Sequence, residues 1–145
     1  MEKETTRRLE EKLVQITHED ILTDYLDDPH IFDGNMTFAE YFMSLEKVKQ
    51  MREADLVKAS GIERSYCYQL LNGTRPNPGR DKIIRLCLAA KLSVKESCRA
   101  LKVADEAVLY ARNRRDAIIT YCIQNGLSAE ETNILLDHFS EKPLE

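Results

Sequence analysis

Apolar residues recur along this chain at intervals of three and four, the spacing that places them on one side of an α-helix. The pattern is clearest after Thr37-x-x-Glu40, a capping-box sequence that is typical of the start of a helix. The apolar positions of this stretch are Phe38, Tyr41, Phe42, Leu45 and Val48. The spacing predicts one helix from Thr37 through Val48, with its apolar stripe in the protein core.

The stretch from Glu53 to Pro78 predicts two further helices joined by a glycine turn. Gly61 suits the left-handed residue that commonly ends a helix. Asn72-Gly73 stops the second helix, and Pro76 and Pro78 prevent it from resuming. The apolar positions of these two helices are Leu56, Val57, Cys67, Leu70 and Leu71.

The C-terminal half contains an internal repeat with an offset of 35 residues. Arg80-Asp81-x-Ile83-Ile84-x-x-Cys87 returns as Arg115-Asp116-x-Ile118-Ile119-x-x-Cys122. The capped start Leu92-Ser93-x-x-Glu96 returns as Leu127-Ser128-x-x-Glu131. Nine of twenty-two aligned positions are identical without a gap. Each copy predicts a helical hairpin, and the second copy should stack on the first because a lone hairpin cannot bury its apolar face.

The N-terminal segment predicts two short helices, at Thr5 to Gln15 and at His18 to Leu26, before the turn Asp33-Gly34-Asn35. We therefore expect an all-α protein in three parts. Residues 1–35 form an acidic helical arm, residues 36–103 form a five-helix unit, and residues 104–145 form a helical hairpin packed on that unit. The arm has three open interpretations: a flap on the core, a dimerisation element or a partly mobile tail.

Charge is segregated along the chain, although the net charge is only −4. Residues 1–35 carry −6, residues 36–116 carry +6 and residues 117–145 carry −4. A basic middle between acidic ends makes a local cationic surface plausible despite the low overall charge. A merely solvated charged face is the alternative interpretation of the same pattern.

The Glu53 to Pro78 stretch resembles the helix-turn-helix of phage repressors and of the XRE family of bacterial regulators. The matching residues are Leu56, Ala59-Ser60-Gly61-Ile62, Cys67, Leu70, Asn72-Gly73 and Arg75-Pro76. The resemblance extends over roughly Phe38 to Leu101. It implies a five-helix fold and a transcriptional regulator that binds double-stranded DNA, usually as a homodimer.

The resemblance also implies which side chains would touch DNA, because residues near the start of the second helix reach base edges in the major groove. The expected base-contacting residues are Arg64, Ser65, Tyr68 and Gln69. In this scheme Arg64 grips a guanine and Gln69 pairs with an adenine. The expected backbone-contacting residues are Tyr66, Asn72, Thr74, Arg75, Arg80 and Lys82.

A second candidate basic patch comprises Arg112, Arg114 and Arg115. It could contact the DNA backbone, bind an acidic partner or pair with the acidic arm, and a polar loop with intramolecular pairs is equally compatible. Glu53 stands where the family often has a phosphate-binding glutamine, and the predicted DNA-reading face is rich in tyrosine. These features favour an alternative, a protein-interaction module that kept the fold and lost DNA binding.

Candidate catalytic and metal chemistry is sparse. The three histidines are scattered through the termini, and no hydrolase, phosphate-loop or dinucleotide motif occurs. The four cysteines lack zinc-site spacing, which favours reduced thiols in apolar surroundings. We therefore expect neither an enzyme nor a cofactor. The sequence shows no signal peptide and no run of 18 apolar residues, which predicts a soluble cytoplasmic protein.

Overall fold

The computed structural model describes residues 36–145 and four isolated positions before them, Glu10, Leu13, Val14 and Leu22. Apart from those positions, the two helices and the turn predicted for residues 1–35 lie outside the described residues. Residues 36–145 contain eight helices and no strand, which confirms the all-α class for this part. The helices are α1 (Phe38–Ser44), α2 (Glu46–Lys49), α3 (Glu53–Ser60), α4 (Arg64–Leu71), α5 (Arg80–Ala89), α6 (Val94–Val103), α7 (Arg114–Gln124) and α8 (Ala129–His138).

Three helices begin at capping boxes, as the sequence predicts, namely those after Thr37, Ser93 and Ser128. At Ser93 the hydroxyl accepts from the Glu96 amide at 3.0 Å, while the Glu96 carboxylate accepts from the Ser93 amide at 2.8 Å. Two amides that would otherwise lack a partner are satisfied within one turn. Local sequence therefore determines where α1, α6 and α8 begin.

The predicted helix from Thr37 through Val48 is wrong in one respect, because it is broken at Leu45. Leu45 has an extended backbone, with φ −71° and ψ 137°, and separates α1 from α2. The Ser44 hydroxyl donates to the Tyr41 carbonyl at 2.6 Å, a side-chain bond that competes with continued helix. Beyond the break, Lys47 Nζ lies 2.9 Å from Glu96 Oε1 and attaches α2 to the start of α6. The apolar residues of this stretch therefore enter the core from two helices, α1 and α2, and Val48 in α2 remains buried.

The core of residues 36–103 is formed by α1 and α3–α6. α3 packs on α4 and α5, while α1 packs on α4 and α6, and α5 also packs on α6. The largest fully buried side chains at their contacts include Phe42, Leu56, Leu70, Ile84 and Leu101. This arrangement holds α4 on two neighbours and leaves its remaining side toward solvent.

The sequence repeat is also a structural repeat, because α5–α6 and α7–α8 turn at equivalent residues. Left-handed residues end each first helix, at Lys91 (φ 57°) and Gly126 (φ 65°). The amides that follow bond back equivalently, Leu92 to the Cys87 carbonyl at 3.1 Å and Leu127 to the Cys122 carbonyl at 3.0 Å. The matching backbone shows that the similarity extends beyond residue identity.

The two hairpins are joined by reciprocal ion pairs made by the repeated Arg-Asp dipeptide. Arg80 binds Asp116 through two bonds of 3.0 and 2.8 Å, and Arg115 binds Asp81 through two bonds of 3.1 and 3.0 Å. At the other end of the same helices, Lys91 Nζ donates to the Gly126 carbonyl. Contacts at both ends place α5 and α7 side by side in the same direction. None of the helices in the described part is both long and apolar enough to span a membrane.

Candidate nucleic-acid interface

The turn between α3 and α4 is held by a left-handed glycine and a buried serine. Gly61 has φ +70°, and a Cβ there would lie 2.7 Å from Arg85 Nη1, so both conformation and space favour glycine. The Ser60 hydroxyl donates to the Val57 carbonyl at 2.7 Å and accepts from the Ile62 amide at 3.1 Å. These bonds fix the direction in which α4 leaves α3 and confirm the glycine turn predicted from the sequence.

The first turn of α4 is capped by the side chain of Glu63, the residue that precedes the helix. Glu63 accepts from the amides of Ser65 at 2.7 Å and Tyr66 at 3.0 Å. A carboxylate at the positive end of the helix stabilises α4. It also occupies the amides that a phosphate would otherwise approach.

The two sides of α4 differ sharply in burial. Cys67, Leu70 and Leu71 are buried, as the sequence predicts for the inward side. Arg64 and Ser65 are exposed, whereas Tyr66, Tyr68 and Gln69 are half-buried. The side chains predicted to read bases therefore lie on one outward side of the helix, with its first turn the most accessible.

Two arginines lie over tyrosine rings on this outward side. The guanidinium carbon of Arg64 is 5.9 Å from the centre of the Tyr68 ring, one helical turn away. The guanidinium carbon of Arg75 is 5.0 Å from the centre of the Tyr66 ring. Both distances permit cation–π attraction, which limits the range of the long arginine side chains. The two positive charges therefore lie beside aromatic rings on the same surface.

The loop after α4 folds back onto the helix. Gly73 has φ +84°, and the Asn72 side-chain oxygen accepts from the Thr74 amide at 2.9 Å. The Arg75 amide then donates to the Gln69 carbonyl at 3.1 Å, and Arg75 Nε donates to Gln69 Oε1 at 2.7 Å. Residues Tyr66, Gln69, Thr74, Arg75, Pro76 and Asn77 line an open cleft of about 460 Å³. Asn72 and Thr74, predicted to contact the DNA backbone, are both exposed, and Thr74 lines the cleft.

A phosphate contact by Arg80, as the sequence predicts, would compete with the bonds that this side chain makes within the protein. All three of its side-chain nitrogens donate within the protein, to Asp116 and to the carbonyls of Ala107 and Val108. Lys82, in the same first turn of α5, is half-buried and has no hydrogen bond or ion pair with any described residue. Of Arg80 and Lys82, only Lys82 has a positive charge that no described residue binds.

The second basic patch is largely neutralised by intramolecular bonds. Arg115 donates to Asp81 and to the carbonyls of Lys142 and Pro143. Arg114 Nε lies 2.9 Å from Glu141 Oε2. These contacts favour the polar-loop interpretation for both residues, whereas Arg112 is exposed and pairs with no described residue. The repeated Arg-Asp dipeptide was the signal in the sequence, because stacked copies bring the two dipeptides together.

Acidic groups lie at the starts of both α3 and α4. Glu53 is exposed in the first turn of α3, where the resemblance would place a phosphate-binding side chain.

Burial raises the pKa of the Cys67 thiol, a bond with Ser60 lowers it in part, and the charge of Glu53 raises it further. The thiol under the α4 surface is therefore protonated and contributes packing rather than reactivity.

No group of three metal-binding side chains is close enough to hold an ion within the described residues. Burial also raises the pKa of Cys87, to about 12, and that of Cys122. Cys67, Cys87 and Cys122 are buried and unpaired, and Cys98 is half-buried.

Comparison of the chain with protein-family models, with curated proteins and with solved structures found no match. Interpretation of the site therefore rests on its own residues and geometry.

Proposed function

We propose that this chain is a sequence-specific DNA-binding transcriptional regulator of the repressor-like helix-turn-helix type. In this proposal α1 and α3–α6 form the five-helix unit, with α2 as an extra turn after α1. α4 enters the major groove, since a single helix matches the width of that groove. The observation that carries the proposal is the exposed first turn of α4, where Arg64 and Ser65 face solvent while the opposite side is buried.

The proposed contacts follow from accessibility and charge. Arg64 suits a guanine because its fork of donors matches two acceptors on that base. The proposed base-contacting residues are Arg64, Ser65, Tyr68 and Gln69. The proposed backbone-contacting residues are Tyr66, Asn72, Thr74, Arg75 and Lys82, and Arg80 is omitted because its donors are engaged.

A homodimer in the cytoplasm is part of the proposal, because two copies would contact two half-sites about one helical turn apart. The acidic arm or the C-terminal hairpin would supply the dimer face or bind a protein partner. The hairpin leaves four large apolar side chains accessible, Tyr110, Tyr121, Ile134 and Phe139, with Ile134 the most exposed at 65%. Their accessibility supports assigning the hairpin such a role.

The test is binding of the full chain to duplex DNA selected from a random pool, measured by fluorescence anisotropy at several salt concentrations. We expect Arg64→Ala to weaken binding to the selected site roughly 5- to 150-fold, the range for loss of one good base contact. The matched control is Lys142→Ala, which removes one exposed positive charge from the C-terminal loop. Wild-type protein that binds no duplex even at low salt would refute the proposal, as would equal effects of the two substitutions.

A second candidate is a protein-interaction module on the same fold. It is favoured by the two carboxylates near the binding surface, Glu53 at the start of α3 and Glu63 on the first-turn amides of α4. Half-buried Tyr66 and Tyr68 are also residue types enriched at protein interfaces. Absence of DNA binding at low salt, together with a folded chain, would favour this second function.

A further inference from the structure

We propose that Gln69 and Arg75 form one base-reading unit that selects guanine, an inference that rests on the DNA-binding function proposed above. It changes the role of Gln69 expected from the sequence, and it replaces the backbone-contacting role given to Arg75 above. Gln69, expected to pair with adenine, becomes a donor only. Arg75, expected to hold a phosphate, becomes a residue that determines specificity.

The two residues are joined by one backbone bond and one side-chain bond. The Arg75 amide donates to the Gln69 carbonyl at 3.1 Å, and Arg75 Nε donates to Gln69 Oε1 at 2.7 Å. Because an arginine nitrogen only donates, the atom that it contacts must be the amide oxygen of Gln69. The bond therefore determines the orientation of that amide, and Nε2 is the group left to contact a ligand.

The bond to Gln69 also determines which nitrogens of Arg75 can contact a ligand. Its guanidinium lies over the Tyr66 ring at 5.0 Å, and its two terminal nitrogens donate to no described residue. The open cleft beside them is lined by both side chains. A guanidinium held on a ring and attached to a helix has less freedom than a loop arginine that follows a phosphate by charge alone.

Together the two side chains present donors without an available acceptor. Glutamine ordinarily offers one acceptor and one donor group, the combination that matches adenine. The second lone pair of Gln69 Oε1 lies beside the positive guanidinium of Arg75. A base N–H that approached this oxygen would therefore meet a like-signed partial charge.

Among the four bases, guanine fits this donor pair best. It presents two acceptors in the major groove, N7 and O6, whereas adenine pairs one acceptor with the N6 donor. Cytosine presents a donor, and thymine presents one acceptor next to a methyl group. The unit formed by Gln69 and Arg75 therefore selects guanine at the base pair that it reaches.

The experiment compares base preferences of wild type, Gln69→Ala, Arg75→Ala, Arg75→Lys and the charge control Lys142→Ala by sequencing duplexes selected from a random pool, and Gln69→Ala identifies the position that the unit reads. At one position we expect wild type to prefer guanine over adenine roughly 5- to 150-fold. Arg75→Ala releases Gln69 Oε1, so the preference at that position should change to adenine. Arg75→Lys keeps a donor but loses the Nε bond that orients Gln69, so the preference for guanine should be smaller than in wild type. Thermal unfolding followed by circular dichroism checks that each variant folds.

The alternatives give different results. If Arg75→Ala weakens all sequences alike and leaves the base preference unchanged, Arg75 is only a phosphate contact and the inference is overturned, while DNA binding stands. A wild-type preference for adenine at the position that Gln69→Ala affects would overturn it in the same way. Wild type that binds no duplex at low salt would instead overturn the proposed function, and this inference with it.

Discussion

Among the charged residues of the described part, Asp116 should cause the largest loss of stability when it is replaced. Its nearly buried carboxylate joins the two hairpins. Its side chain is 6% exposed and accepts two bonds from Arg80 and one from the Tyr110 amide. Asp116→Asn keeps the shape but places an amide donor against the guanidinium of Arg80. The substitution therefore tests the ion pair with little change in volume.

The expected loss of stability follows from the Arg80 guanidinium, which Asp116→Asn leaves without its carboxylate partner. Removing one partner of a buried ion pair typically costs about 3–5 kcal/mol. Arg80 remains 22% exposed and keeps its bonds to the carbonyls of Ala107 and Val108. We therefore expect the lower end, a loss of about 3 kcal/mol in the free energy of unfolding. The equivalent substitution in the first copy, Asp81→Asn, should cost less because that side chain is 16% exposed.

The assay is urea unfolding of the full chain at fixed concentration, followed by circular dichroism, with Arg80→Met and the double variant completing a cycle. Once the arginine is replaced by methionine, the Asp116→Asn change should cost little, because no buried charge is left unpaired. We expect a coupling of about 2 kcal/mol between the two positions. Additive effects within about 0.5 kcal/mol would refute the reasoning, as would a loss below about 1 kcal/mol for Asp116→Asn alone.

Two further predictions concern the α3–α4 turn and acid stability. Gly61→Ala should cost about 1–2 kcal/mol for the left-handed backbone, and more because Arg85 Nη1, which donates to the Ser60 carbonyl at 3.2 Å, would have to move. Gly126→Ala is the matched control, since its φ is +65° with no atom near the added Cβ, and urea unfolding should rank it as the milder change. Burial raises the pKa of Asp81, but bonds from Arg115 and the Glu145 amide and nearby positive charge lower it overall. Unfolding at pH 6 and pH 3 should therefore show Asp81→Asn losing less stability on acidification than wild type.

The sign of the acid effect follows from the direction of that pKa shift. A folded-state pKa below the unfolded value, about 3.9 for aspartate, contributes stability that is present above this pH and lost as the pH falls through the folded pKa. The amide that Asp81→Asn introduces cannot titrate, so the variant should lack this part of the loss. Parallel loss of stability in the two proteins would contradict the assignment. Equal costs for the two glycine substitutions would contradict the predicted contact with Arg85.

Part of the candidate site could be predicted because it depends on neighbours in sequence. The inward side of α4, with Cys67 and Leu70, follows from helical spacing, and the turn before it follows from Gly61. The attachment between Gln69 and Arg75 could not be predicted in the same way. It depends on how the loop at Gly73 closes, and several loop conformations are compatible with the same residues.

The sequence by itself determined the helices with local signals, including the capping boxes at Ser93 and Ser128, and the 35-residue repeat. The capping boxes depend on contacts within about one helical turn, so residue types and spacing suffice to predict them, and the repeat is visible when the chain is compared with itself. Only the tertiary structure decided which charges remain available. Arg80 looked like a phosphate ligand from its place at a helix start, yet Asp116, 36 residues away, engages it. A partner so distant in sequence is set by how the copies stack, which no local pattern specifies.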